Sequence, residues 1–274
     1  MPDSITEKIT IFKKPLKVLF VVAEVYPYAS VGGLGMAISS LSRAFKKLGI
    51  DCRIFMPKYA LVDEKKYHLD MILRGLKVLT DETTEEKRMI ICNVKKYIPT
   101  ENGVPIYFLE NREYYEKRSN VYGYSDDPIR FVLLSRGVLE FLHHSDWVPD
   151  IINCADWHTG ALPNYLKVNY KSDPILNKIK IVFSIHNLYH QGVFDHRVVS
   201  ELDFDDGKSP IASFFNERLL KQNFMRRGII YSDLVNTVSE TYSREIMTKE
   251  YGEGLEDLLK EVRTKIFGIL NGID

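Results

Sequence analysis

Residues 16–48 read LKVLFVVAEVYPYASVGGLGMAISSLSRAFKKL, and this stretch decides the fold. Val18 to Ala23 is a near-continuous apolar run, the pattern of a parallel strand buried on both faces. Pro27 and a small-residue turn at Gly32 and Gly33 follow. Leu34, Ala37, Ile38, Leu41, Phe45 and Leu48 then recur at steps of three and four, which is one face of a helix. Gly49 closes that helix, and Asp51 to Met56 (DCRIFM) reads as the next strand. The product is a βαβ unit that aims a glycine turn and a helix N-terminus at the carboxyl end of a central strand. Open α/β sheets place their ligands there, and free N–H groups at a helix N-terminus attract phosphate. The turn does not decide the matter alone. It lacks the GxGxxG spacing and no Walker lysine follows, so it reads equally as glycines that let a helix pack close to a strand.

The bulk numbers narrow the class. A chain of 274 residues with 45% apolar residues can bury a sizeable core. Lys+Arg and Asp+Glu both number 37, so no net field favours nucleic acid or an anionic membrane. Cys52, Cys92 and Cys154 lie in apolar runs without CxxC spacing, which reads as buried free thiols in a reducing compartment. No stretch approaches the ~20 apolar residues of a membrane span. Residues 1–15 are charged, lack an apolar signal-peptide core and read as a leader; the expected compartment is the cytoplasm.

Beyond Pro57 the chain keeps an α/β rhythm. Met71–Thr80 and Arg88–Ile98 read as two strands around the acidic turn DETTEE, a hairpin inserted among parallel strands. Pro105–Glu110 is another buried strand. Asn111–Pro128 is a loop holding Tyr114, Tyr115, Tyr122 and Tyr124. Rings in a polar loop suit stacking on sugar faces and suit tight packing equally well. Asp127-Pro128 starts a helix, with Asp as N-cap and Pro at the first position. Pro149–Cys154 is a strand, and the turn ADWHTG after it enters a helix ending near Tyr170. Lys178–Ile185 is a strand that runs out into HNLYHQG. A helix over roughly Ser213–Ser232, a strand at Asp233–Thr237, a helix capped by Ser239 and running to about Tyr251, and a strand at Lys265–Leu270 complete the series. This alternation predicts one α/β domain over 16–274 with a doubly wound, mostly parallel, Rossmann-like sheet.

Polar residues cluster after three separate strands: Glu24, then Asp156 and His158, then His186 and Asn187. A rim built this way is the expected ligand site of an open sheet. His186 and His190 have HxxxH spacing, which makes a ligand pair only on a helix. A strand precedes them and Gly192 follows, so no metal site is expected. No GxSxG elbow signals a serine hydrolase.

The blocks VLFVVAEVYPYASVGGLG, VYGYSDDPIRF, PDIINCADWHTGALP, FSIHNLYHQGVF, SFFNERLLKQNFMRRGIIYSDLVNTVSETYSREI and GILNGID are spread in order over nearly the whole chain. In these the chain resembles the N-terminal, acceptor-side domain of bacterial glycogen synthase and plant starch synthase. These are retaining glucosyltransferases with the two-Rossmann-domain GT-B architecture, of which this chain looks like one half. The resemblance implies transfer of glucose from ADP-glucose, or UDP-glucose in some members, to the non-reducing end of an α-1,4-glucan or maltooligosaccharide. It implies neither metal nor cofactor. By the same resemblance His186 lies beside the transferred glucose, with Asn187 and Asp156 as its expected catalytic companions. Gly32 and Gly33 are expected to face the donor diphosphate through backbone N–H groups. Glu24, Tyr124, His158 and Asp156 are expected along the acceptor channel, and Asn271 at the border of the active site.

The family turn usually reads KTGGLxD; here Ser30 stands at the lysine and Met36 at the aspartate. Loss of a lysine at a diphosphate removes a charge-assisted contact of about 1.5–3 kcal/mol. That weakens donor binding by roughly one to two decades. The departure keeps a second function open: a catalytically silent glucan-binding or regulatory domain derived from such an enzyme. The family's nucleotide-binding Rossmann domain starts beyond NGID, so the chain by itself is expected to fold and not to catalyse.

Overall fold

The computed structural model describes residues 14–80, 88–99, 103–194 and 205–272. Most of the leader, the DETTEE turn, His196, Ile273 and Asp274 lie outside these residues. Among the described residues nine strands form one sheet, in the order β3 (Asp70–Leu79), β4 (Met89–Tyr97), β5 (Ile106–Glu110), β2 (Asp51–Pro57), β1 (Lys17–Val21), β6 (Ile151–Ala155), β7 (Lys180–Ile185), β8 (Leu234–Thr237) and β9 (Ile266–Gly268). At its centre β1 (Lys17–Val21) pairs in parallel with β2 (Asp51–Pro57) and with β6 (Ile151–Ala155). Leu19, Phe20, Val21, Val22 and Ala23 have no exposed surface, as expected of a strand covered on both faces.

Helices lie on both faces. After β1, α1 (Gly33–Lys47) buries Leu34, Ile38 and Ser42 on the first face. There Phe45 meets Phe20 at 5.5 Å between ring centroids, and the Cys52 thiol donates to the Ser42 carbonyl at 3.0 Å. The αL conformation of Gly49 (φ 80°) terminates this helix, and a single-turn helix, α2 (Glu64–Tyr67), follows β2. Phe55 points to the second face, where α3 (Asp127–His143) meets it through Phe141 at 5.4 Å. On that second face also lie β7 (Lys180–Ile185) Phe183 and α5 (Phe224–Tyr231); a Cβ on Gly228 would stand 2.4 Å from the Phe183 ring. Between β6 and β7 runs α4 (Ala161–Val168). The parallel series continues through β8 (Leu234–Thr237) to β9 (Ile266–Gly268). Cys52, Cys92 and Cys154 are buried and free.

The expected hairpin is present: β3 (Asp70–Leu79) and β4 (Met89–Tyr97) are inserted in the chain between the parallel partners β2 and β5 (Ile106–Glu110) and form the sheet edge, with β4 antiparallel to β5. Several other local expectations are corrected. The helix expected over 213–232 breaks into a 3₁₀ segment, Glu217–Lys221, and α5. The break comes at Asn223, whose side chain caps α5 by accepting from Arg226 N–H at 2.8 Å. The helix after Ser239 stops early, as α6 (Glu240–Glu245), and a separate α7 (Glu256–Glu261) follows. Asp127 lies inside α3, with Asp126 at the cap position. Its carboxylate turns back to accept from the N–H groups of Gly123 (2.6 Å) and Tyr124 (3.1 Å). Within the tyrosine loop, Arg112–Glu116 forms a π-type turn, and Tyr115 is fully buried with its hydroxyl on the Arg130 carbonyl at 2.7 Å. Packing, not sugar stacking, accounts for that ring.

The edge hairpin is fastened by ions. Lys58 pairs with Glu64 (2.8 Å) and Glu116 (2.9 Å), while Lys95 pairs with Glu64 (2.7 Å) and Glu110. Burial opposes ionisation of Glu64, but hydrogen bonds from Lys58 and Lys95 overcome it and hold the carboxyl below its usual range. The three glutamates approach one another closely enough to hold a cation, yet each is already paired with a lysine ammonium. Among the described residues no helix is long and apolar enough to cross a membrane.

Candidate active site

Because β1, β6 and β7 are neighbours, their carboxyl ends lie side by side, ~5 Å apart. Each tip carries polar residues singled out in the sequence. At the first, Glu24 is 1% exposed and its carboxylate accepts from Val31 N–H and from Gly32 N–H at 3.3 Å. The glycine turn is therefore closed by the chain's own carboxylate. Of the two N–H groups expected for a diphosphate, that of Gly32 is already engaged by this carboxylate. Gly32 is the N-cap of α1 and contributes no side-chain cap. The open part of the turn is at Gly33, where, apart from its neighbours along the chain, none of the described residues lies within 4 Å of the place a Cβ would take. Ser30 and Met36 are exposed, and the Ser30 hydroxyl donates weakly to the Gly32 carbonyl at 3.4 Å. Glu24→Gln offers one acceptor oxygen and turns an NH₂ toward donors. It is expected to lower stability in urea by about 1–2 kcal/mol, read as a fall in the unfolding midpoint at constant slope.

At the second tip Asp156 has φ 54° and ψ −176°, a conformation that an L residue adopts only under constraint. Five hydrogen bonds hold it. Its N–H donates to the Ser184 carbonyl at 2.9 Å, and its own carbonyl accepts from the Thr159 N–H at 3.1 Å and from the Thr159 hydroxyl at 3.2 Å. Its carboxylate accepts from the N–H groups of His186 (2.7 Å) and Asn187 (3.2 Å). Burial pushes this carboxyl up to about 7; the two N–H groups pull it back, and the Glu24 charge adds to the rise. The strain thus aims a carboxylate at the third tip and fixes the exit of β7.

His158 and His186 are neutral at neutral pH. Burial pushes His158 down to about 3, with the charges of His190 and Arg130 adding to the fall, and burial pushes His186 down to about 4. His158 stacks on Trp157 at 4.2 Å, meets Phe131 edge-on at 4.6 Å and lies 5.2 Å from Tyr122. Its buried Nδ1 has no hydrogen-bond partner among the described residues.

The structure brings Glu24, Asp156, His158, His186 and Asn187 to one rim. It treats Tyr124 and Asn271 differently. The Tyr124 hydroxyl accepts from Asn120 N–H at 2.9 Å and sits 3.2 Å from the Ser119 hydroxyl, while the Arg130 guanidinium lies 5.1 Å from its ring. Tyr122, rather than Tyr124, lies in the field of Glu24 and Asp156: burial pushes its phenol up to about 12 and both carboxylates add to the rise. Asn271 is exposed, with its N–H on the Val238 carbonyl at 3.2 Å.

Two residues of the site escaped the sequence. Tyr122 was one of four tyrosines in a loop with no signal to rank them. Arg130 is fully buried and reaches the carbonyls of Tyr114 (2.7 Å) and Val121 (3.0 Å) as well as the Asp127 carboxylate, so it shapes the loop that presents Tyr122. Its spacing of three from Asp127 on one helix was the available signal.

Comparison with known proteins agrees with this architecture. The family model described as the starch synthase catalytic domain matches residues 17–261. A glycogen synthase of Caldicellulosiruptor bescii is 41% identical over 263 residues, covering 94% of this chain and 52% of that protein. One of Clostridium kluyveri is 39% identical over 263 residues, covering 94% and 53%. The solved catalytic domain of starch synthase IV from Arabidopsis thaliana, bound to ADP and acarbose, superposes with a TM-score of 0.79 at 29% identity. That match covers 95% of this chain and 52% of the other. The chain thus spans about half the length of the relatives it matches. With a family model over nearly its full length and a nine-stranded α/β sheet to match, the chain belongs to the starch synthase catalytic domain family.

Proposed function

We propose that this chain forms the acceptor-side half of a glucosyltransferase that moves glucose from ADP-glucose or UDP-glucose onto the non-reducing end of an α-1,4-glucan, with retention. The observation that carries this reading is the Asp156 carboxylate, buried, strained and bonded to the backbone of His186 and Asn187, with Glu24 beside it. Glucosyl transfer passes through a cationic, oxocarbenium-like centre, which fixed negative charge in a dry site stabilises. A charged imidazole there would oppose that centre. Burial keeps His186 neutral, so its ring can hydrogen-bond the sugar without repelling the developing cation. The donor diphosphate would approach the open N-terminus of α1 at Gly33, and the glucan would lie across Tyr122, Tyr124 and His158.

A second reading, a silent glucan-binding or regulatory domain, is favoured by one observation. Glu24 already occupies the N–H groups of Val31 and Gly32, and Ser30 supplies no charge to recruit a diphosphate. The two readings separate in one experiment. The chain, alone and joined to the C-terminal half of a glycogen synthase relative, is given labelled ADP-glucose or UDP-glucose and a maltooligosaccharide. The first reading expects incorporation by the joined protein; binding of the oligosaccharide without incorporation from either donor selects the second. Binding unaffected by both Tyr122→Ala and Asp156→Ala would remove the glucan from this rim altogether.

A further inference from the structure

The segment after β7, residues 186–192, carries His186 and Asn187, yet it is a loop rather than a regular element. Loops hold reacting groups only as well as their backbone is tied. Here the leading N–H groups are engaged: His186 and Asn187 on Asp156, Leu188 on the Tyr242 hydroxyl at 3.3 Å, and Tyr189 on the Asn187 side chain at 3.0 Å. The far end depends on Gln191. Its carbonyl accepts from Met225 N–H at 3.1 Å in α5. Its side-chain NH₂ donates to the Glu253 carbonyl at 2.8 Å, and its side-chain oxygen accepts from the Asn223 amide.

The orientation of this relay is determined at both ends. A backbone carbonyl only accepts, so the NH₂ of Gln191 must face Glu253 and its oxygen must face Asn223. A backbone N–H only donates, so the oxygen of Asn223 must face Arg226 at 2.8 Å and its NH₂ must face Gln191. No flipped amide satisfies either end. Both anchors are themselves fixed. Asn223 donates its N–H to Asp205 at 2.8 Å, and Asp205 is gripped by the fully buried Arg227 at 2.7 and 3.0 Å. Glu253 holds a left-handed backbone (φ 50°) between two glycines.

We infer that Gln191 is a positioning residue: it fastens the His186–Gly192 loop to α5 and to the 252–254 turn, and so sets where His186 and Asn187 meet a substrate. The inference rests on the proposed reading of His186 for its importance to a reaction, but not for its test, which reads the chain without substrate.

Gln191→Leu removes both side-chain bonds. Gln191→Glu keeps the acceptor toward Asn223 and loses the donor toward Glu253. Amide hydrogen exchange is followed at His186, Asn187 and Leu188, with Leu19 and Phe20 of β1 as the reference for global opening. In each variant the three loop amides are expected to exchange roughly tenfold faster than in the parent, the size of one lost hydrogen bond, while the β1 amides keep their rates. The His186 ring resonances are expected to shift with them. A residue that merely stabilises the fold would move loop and β1 amides together. That result, or loop rates within twofold of the parent in the Glu variant, overturns the inference. Should the Leu variant not fold, the Glu variant, which retains the Asn223 bond, decides alone. Failure of glucosyl transfer leaves these readouts untouched, so the two ideas fall separately.

Discussion

Asp156→Asn, in the chain joined to a nucleotide-binding half, is expected to lower glucosyl transfer by roughly 10²–10³-fold, the effect of removing one preorganised electrostatic group. The side chain keeps its size and its oxygen can still face the N–H groups of His186 and Asn187. What disappears is the charge. The effect has a pH signature. Burial places the wild-type carboxyl at about 7, so transfer rises through a limb centred near that value as the carboxylate forms. The Asn variant is expected to show a low rate without that limb. Stability moves the other way. A carboxyl raised in the folded state binds its proton more tightly folded than unfolded, so it contributes stability at low pH. That stability is lost as pH rises from the ordinary aspartate value toward 7. Asn carries no such dependence, so at pH 8 the variant is expected to be no less stable than the parent. Transfer assays across pH 5.5–8.5, with urea melts at both ends, test both halves. A wild-type profile flat between pH 6 and 8 would sink the assignment.

Gly160→Ala is the largest expected effect on folding. Gly160 has an ordinary helical backbone (φ −66°, ψ −19°), so conformational freedom is not why glycine is there. The reason is contact. A Cβ at this position would lie 1.9 Å from the Phe224 carbonyl oxygen and 2.7 Å from its carbon. Both are backbone atoms, so no flexible side chain can yield, and α4 and α5 would have to separate. Overpacking of this kind costs about 3 kcal/mol or more, which at roughly 2–4 °C per kcal/mol for a domain of this size lowers the melting midpoint by about 10 °C. The displacement would also reach the site, because Met225 donates to the Gln191 carbonyl. Gly33→Ala is the control of opposite sign. It starts α1 in open space, so it is expected to be neutral or to stabilise by up to about 1 kcal/mol. Thermal melts of the two variants side by side test the contrast; a loss under 2 °C in Gly160→Ala would show that the approach is not tight.

Much of the fold was legible because it is written in local patterns. The apolar run at Val18–Ala23, the helical spacing from Leu34 to Leu48 and the strand tips at Glu24, Asp156 and His186 each need only neighbouring residues to be read. Errors arose where distant atoms intervene. The helix expected over 213–232 is interrupted because Asn223 caps α5 while its N–H is held by Asp205, eighteen residues away. That the inserted hairpin takes the sheet edge is legible only in three dimensions, because a strand's neighbours in the sheet are a long-range property.

The sequence by itself determined the order of strands and helices, the glycine turn and the polar residues at three strand ends, since periodicity and turn chemistry act over a few residues. The tertiary structure alone decided that Glu24 closes the glycine turn, that Tyr122 rather than Tyr124 faces the carboxylates, and that Asp156 grips the backbone of the His186 loop. The physical reason is that charge and hydrogen bonding act through space: what a carboxylate does depends on which N–H groups and which desolvating walls the fold brings to it, and no spacing along the chain records that.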